Sequence, residues 1–127
     1  MPEKTEYVAE KGIIVITYNG EVTMGEVRGA TVKAIAMQKE NQTDRVVVDA
    51  LDMTAAPSVS EMWELVESYP ELQVPRRTRI AAVRPTVPDR ADISGFFEVV
   101  CQNRCYNAKS FHTRAAAEEW VCADSEV

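Results

Sequence analysis

Few of the usual chemical markers are present in these 127 residues: one histidine, three cysteines, five glycines and no long apolar run. A membrane-spanning helix would need roughly 18 or more consecutive apolar residues, and no such stretch occurs. The first 20 residues are acidic and β-like and lack the basic start and apolar centre of a secretory signal. Gly20, Gly25 and Gly29 fit neither the dinucleotide nor the P-loop fingerprint, so the chain has no glycine-rich phosphate cradle. A serine-nucleophile elbow is also missing. The odd set Cys101, Cys105 and Cys122 makes no disulfide framework and suits a reducing cytoplasm, where thiols stay free. Positive charge is scarce, with 14 Lys and Arg against 20 Asp and Glu for a net charge of −6. A nucleic-acid partner is therefore not expected, since it would need a concentrated basic face. Arg76, Arg77 and Arg79, with Arg84 and Arg90 near them, form the one basic cluster, read as a solvated loop or, less simply, a local anion or partner patch.

What remains is the composition of an ordinary globular chain, 46 % apolar and 27 % charged, long enough for one domain with a real core. No repeat or linker interrupts it, and β-like and helical patterns alternate along the whole length, as in an α/β domain. Tyr7–Ala9 and Ile13–Tyr18 read as strands of a hairpin turning at Lys11-Gly12. Thr23 and Glu26 have capping-box spacing for a first helix running to about Lys39. Its inward stripe, Val27, Ala30, Ala34 and Met37, is mostly small, and Gly25 and Gly29 fit a close approach to the sheet. Arg45–Asp49 is a continuous apolar strand suited to a central parallel position.

Ser58 and Glu61 repeat the capping box for a second helix carrying Val59, Met62, Trp63, Val66 and Tyr69 and stopping at Pro70. Thr78–Val83 forms the next strand. Asp89–Asp92 can cap a third helix with the stripe Ile93, Phe96, Phe97, Val100 and Cys101. Ala108–Phe111 and a Thr113-capped helix with Ala116, Ala117, Trp120 and Val121 close the chain. The order is β-β-α-β-α-β-α-β-α, and right-handed crossovers would put helices on the sheet's faces.

Three segments carry a resemblance to a known family. They are Val46-Val47-Val48-Asp49 followed by Asp52, then Arg79-Ile80-Ala81-Ala82-Val83, and then Phe96–Val100 through Asn103-Arg104, Phe111 and Ala115–Trp120. Across roughly residues 5–122 the chain resembles the STAS domain of bacterial anti-sigma-factor antagonists, and more closely the STAS-like group called SpoIIAA-like. The resemblance implies a single α/β domain over 5–122: a mixed five-stranded sheet, hairpin first, flanked by four helices, with flexible termini at 1–4 and 123–127. It also implies a regulatory protein-binding role with a phosphorylated serine where the central strand turns into the second helix. The antagonists have an Asp-Ser-Ser-Gly-like stretch there, whereas this chain has Ala55-Ala56-Pro57-Ser58-Val59-Ser60. Ser58 and Ser60 are the phosphosite candidates, although the cap already gives Ser58 a structural role. Many members have glycine where this chain has Cys105, which argues against a tight left-handed helix cap at that point.

Several residues admit a chemical reading beside the structural one. Asp49 and Asp52 lie where open α/β sheets place ligands, but the acidic pair a phospho-receiver needs after its first strand is missing, and strand termination accounts for them. Cys101, Cys105 and His112 number three zinc ligands where a structural site takes four, so no metal is assigned. Trp63, Tyr69, Phe96, Phe97 and Trp120 read first as core.

The leading expectation is a non-enzymatic, cytoplasmic STAS-like interaction module without cofactor, whose partner surface is Asp52–Ser60 with Asp52 and Thr54 as candidate contacts. The alternative is a carrier of a small apolar or lipid-like ligand between the second and third helices, bordered by Met62, Trp63, Phe96 and Phe97. A small enzyme using His112 with a cysteine or carboxylate is the third reading. A homodimer through a short edge strand or an apolar helix face fits as well.

Overall fold

A computed structural model describes residues 3–55, 57–86 and 93–123. Its sheet has five strands in sequence order: β1 (Glu3–Val8), β2 (Ile13–Glu21), β3 (Arg45–Ala55), β4 (Arg79–Val83) and β5 (Asn107–Phe111). β1 is antiparallel to β2, and all other neighbours are parallel. The hairpin closes at Gly12, whose φ of 65° is the left-handed conformation glycine adopts without penalty, and its N–H donates to Val8 O at 2.9 Å.

Because β2 to β5 advance in one direction, right-handed crossovers must all pass over the same face. α1 (Met24–Asn41), α2 (Val59–Glu67), a short α3 (Tyr69–Leu72) and α4 (Ile93–Asn103) do so. They cover the larger core, built on Ile14, Ile16, Val46, Ile80 and Ala108. The opposite face, Ile13, Val15, Val47, Ala81 and Val83, falls to the last helix, α5 (Arg114–Cys122), through Ala117 and Val121. Central strands covered on both sides explain the unbroken Val46-Val47-Val48 run.

Both capping boxes form: Thr23 with Glu26 at α1, and Ser58 with Glu61 at α2. Elsewhere the structure corrects the expected boundaries. β1 begins at Glu3 rather than Tyr7, because pairing with β2 orders residues 3 and 4, which the sequence reading left in a flexible terminus. β3 does not end at Asp49. It bulges, with Thr17 opposite Asp49 and Asn19 opposite Asp52, and continues to Ala55, tied by Val22 N–H to Ala55 O at 3.0 Å.

Pro70 does not stop α2. The helix ends at Glu67, and Pro70 starts α3, a fifth helix, where its missing N–H costs nothing. In α1 the buried set is Val27, Ala30, Ala34, Ile35 and Gln38, with Met37 at the margin. Gly29 faces open space, so the alanines and not the glycines bring α1 close.

α4 ends at Cys105 in the left-handed conformation, φ 66°, despite the absence of glycine. Cys105 N–H donates to Gln102 O at 3.0 Å and Tyr106 N–H to Cys101 O at 2.9 Å, which together form a Schellman cap. The cap expected at 89–92, Arg90, Ala56 and the ends 1–2 and 124–127 lie outside the described residues.

Candidate functional site

The strand β3 delivers residues 52–55 to the carboxyl edge of the parallel sheet, and the chain then turns into α2. Asp52, Thr54, Ala55, Ser58 and Ser60 are exposed there. Ser58 is committed to the helix: its Oγ accepts from Glu61 N–H at 3.2 Å, and its N–H donates to Glu61 Oε1 at 3.0 Å. Ser60, in the first turn, lies beside backbone N–H groups that favour negative charge.

The face α2 turns inward is Met62, Leu65 and Val66, continued by Tyr69, an i, i+3, i+4, i+7 set. That choice rotates Val59 and Trp63 outward, 37 % and 45 % exposed, against the expectation that both were core. Trp63 instead carries the Arg104 guanidinium 5.3 Å from its ring centroid, while Arg104 pairs with Glu67. On neighbouring α4, Val99 is 52 % exposed and Phe96 half-buried.

Asp49 and Asp52 do not form an acidic pair. Strand alternation puts Asp49 on the α5 face with Val47 and Leu51, where Oδ1 accepts from Leu51 N–H at 3.1 Å and Oδ2 from Arg114 at 3.1 Å. Arg114 also holds Glu118 at 2.6 Å, and Glu118 pairs with Lys11. Asp49 is thus the buried end of a structural ion network, while Asp52 remains at the surface.

The thiol and imidazole also part. Cys101 is fully buried among the residues under α4, and loss of solvation pushes its pKa up to about 12, which keeps it a thiol. His112 is exposed on the turn into α5. Among the described residues no three His, Cys, Asp or Glu side chains converge as metal ligands.

The arginine cluster is likewise occupied. Arg76 donates to Arg104 O and lies 4.8 Å from the Tyr106 ring centroid; Arg77 pairs with Asp44 at 2.9 Å; Arg79 donates to the terminal carbonyls of α5. These contacts replace a free anion patch with structural ties.

A cavity of about 100 Å³ lies between the sheet, α1 and α2. Met62 and Phe97 line it, as the sequence reading placed them on a pocket, but Trp63 and Phe96 do not. Its lining draws on α1, α2 and the sheet, with Phe97 contributed by α4. Sequence reasoning missed Ala34, Ala50 and Ala82, which face it. The small stripe of α1 was the available signal.

No protein-family model matches the chain, and no curated protein matches it significantly. Among solved structures it is similar to an uncharacterized protein of the DUF3478 family with a SpoIIAA-like fold from Shewanella loihica PV-4. The TM-score is 0.58 at 12 % identity, over 94 % of this chain and 92 % of that one. With the strand order and crossovers above, this likeness gives the chain a SpoIIAA-like, STAS-type fold.

Proposed function

We propose that this protein is a non-enzymatic, cytoplasmic regulatory module that docks a protein partner through residues 52–63, the edge loop and outward face of α2. One observation carries the reading: Trp63 and Val59 stand exposed on α2 together with Ser60, and Asp52 and Thr54 stand exposed at the end of the preceding strand β3. Tryptophan on a surface with a polar rim is what dominates binding energy in protein interfaces. The separation of His112 from Cys101 supports a binding role over the enzyme reading. The free thiols suit a reducing compartment. Of the two phosphosite candidates, Ser60 is the better acceptor, because Ser58 Oγ is engaged in its cap. A phosphate at Ser60 would add about −1.5 to −2 charge beside Trp63 and alter docking.

A photo-crosslinker placed at Ser60 should capture, in source cells, a protein that the same group at exposed Val32 of α1 does not. Trp63→Ala should reduce that capture at least about tenfold, the loss typical of an interface anchor. Equal capture at both positions, or capture indifferent to Trp63→Ala, would overturn the reading.

A further inference from the structure

The cavity between α1, α2 and the sheet owes its existence to a mismatch of layers. Well-packed cores set large side chains of one layer against small ones of the next. Here Ala34 on the α1 side and Ala50 of β3 and Ala82 of β4 on the sheet side all line the space. Small residues therefore face small residues, and neither layer fills the gap. The other walls are aliphatic or aromatic, including Ile35, Leu65 and Phe97, and no lining residue carries a charge. The polar side chains that reach the wall are largely engaged with the protein. Gln38 Nε2 donates to Thr78 Oγ1 at 2.9 Å, and Thr31 Oγ1 donates to Val27 O at 2.9 Å. Met53 and Met62 in the lining are flexible thioethers able to adjust around an occupant.

An apolar cavity of roughly 150 Å³ in another protein stays dry and takes up benzene, so a space near 100 Å³ with flexible thioethers in its lining is of the right order for one small ring or a short alkyl group. A carboxylate or ammonium would find no counter-charge and would lose its hydration.

We infer that this cavity is a binding site for an uncharged apolar molecule the size of a benzene ring or a short alkyl chain. The site is separate from the docking face on α2, since Trp63 and Val59 take no part in its wall. Met53, Pro57 and Met62 of its lining belong to the 52–63 segment, yet small-molecule occupancy and partner capture are separate measurements and can be read independently in one protein.

The test follows the methyl signals of Met53, Met62 and Ile35 by NMR while the intact protein is titrated with benzene, and in parallel with benzoate. Benzene should move these signals saturably while those of Val32 and Val99 stay put, and benzoate should leave all of them unmoved. Ala34→Leu, which places a side chain in the space, should weaken benzene binding at least about tenfold in a protein that still unfolds cooperatively. If that variant does not fold, Ala82→Val serves the same purpose from the sheet side. Absence of a saturable shift up to the solubility of benzene would overturn the inference, as would benzoate binding equally well or benzene binding undiminished in the filled variant. None of these results depends on Ser60 cross-linking, so this site and the docking face fail or stand separately.

Discussion

At Cys105 the backbone takes a left-handed turn that glycine would take more readily, and the Schellman bonds to Cys101 and Gln102 hold it there. A side chain in this conformation costs on the order of 1–2 kcal/mol, part of which glycine gives back through greater freedom when unfolded. Cys105→Gly should therefore raise stability by about 1 kcal/mol in urea unfolding; a loss would show that the exposed thiol side chain contributes packing.

Glu118 offers a second residue-scale test. The hydrogen bond from Lys11 is the largest influence, and together with the bond from Arg114 and the charge of both cations it outweighs the upward push of burial and holds the carboxyl below the ordinary 4.5. A carboxyl with a folded pKa below its unfolded one contributes stability that is complete above about pH 4.5 and lost as pH falls through the folded value. Glu118→Gln should thus be less stable than the wild type at pH 7, with the gap closing below about pH 4.5 in denaturation series. A gap that stays constant with pH would assign the loss to packing instead. Asp49 was legible as an acid after an apolar strand, but its partner Arg114 lies 65 residues away, and no local pattern announces that pairing.

Among the elements, α2 shows where pattern reading stops. Its start was legible in Ser58 and Glu61, because a capping box is a local arrangement of four residues. Which side faces inward was not, since Val59-Met62-Trp63-Val66 and Met62-Leu65-Val66-Tyr69 are both acceptable helical stripes. The packing of Leu65 and Tyr69 onto the sheet decided between them and left Trp63 outside.

The edge strand β5 shows a further device. Glu98 of α4 accepts from Ser110 N–H at 2.6 Å, and Gln102 donates to Ala108 O at 3.0 Å, so helix side chains occupy bonding positions of the strand. This arrangement discourages pairing with a second copy along β5. Glu98→Ala should cost about 1–3 kcal/mol by leaving a part-buried N–H without its acceptor, and light scattering should detect increased self-association. A variant that stays at the wild-type mass with unchanged stability would refute that role.

Over the whole molecule, the crossover rule makes the sheet lopsided: four helices cover one face and α5 alone covers the other. The thinner layer rests on few anchors, of which Val121 is fully buried against the central strands. Val121→Ala should cost about 2 kcal/mol through lost burial and the void it leaves, while Val32→Ala at the exposed side of α1 should stay within about 0.5 kcal/mol. Comparable losses at both positions would contradict the packing described for α5. On the thick side, the cavity over Ala34 represents about 2 kcal/mol of packing forgone, a sizeable share of a small domain's stability.

The chain by itself determined the succession of strands and helices apart from the short α3, the two capping boxes and the central place of Val46–Val48, because these depend on neighbours within a turn or a strand. Only the tertiary structure decided that β3 bulges past Asp49, that Trp63 faces outward, that three alanines from different elements meet around a hollow, and that Cys101 and His112 stay apart. Those outcomes depend on contacts between residues distant in the chain, where the packing of whole layers overrides the periodicity of any single one.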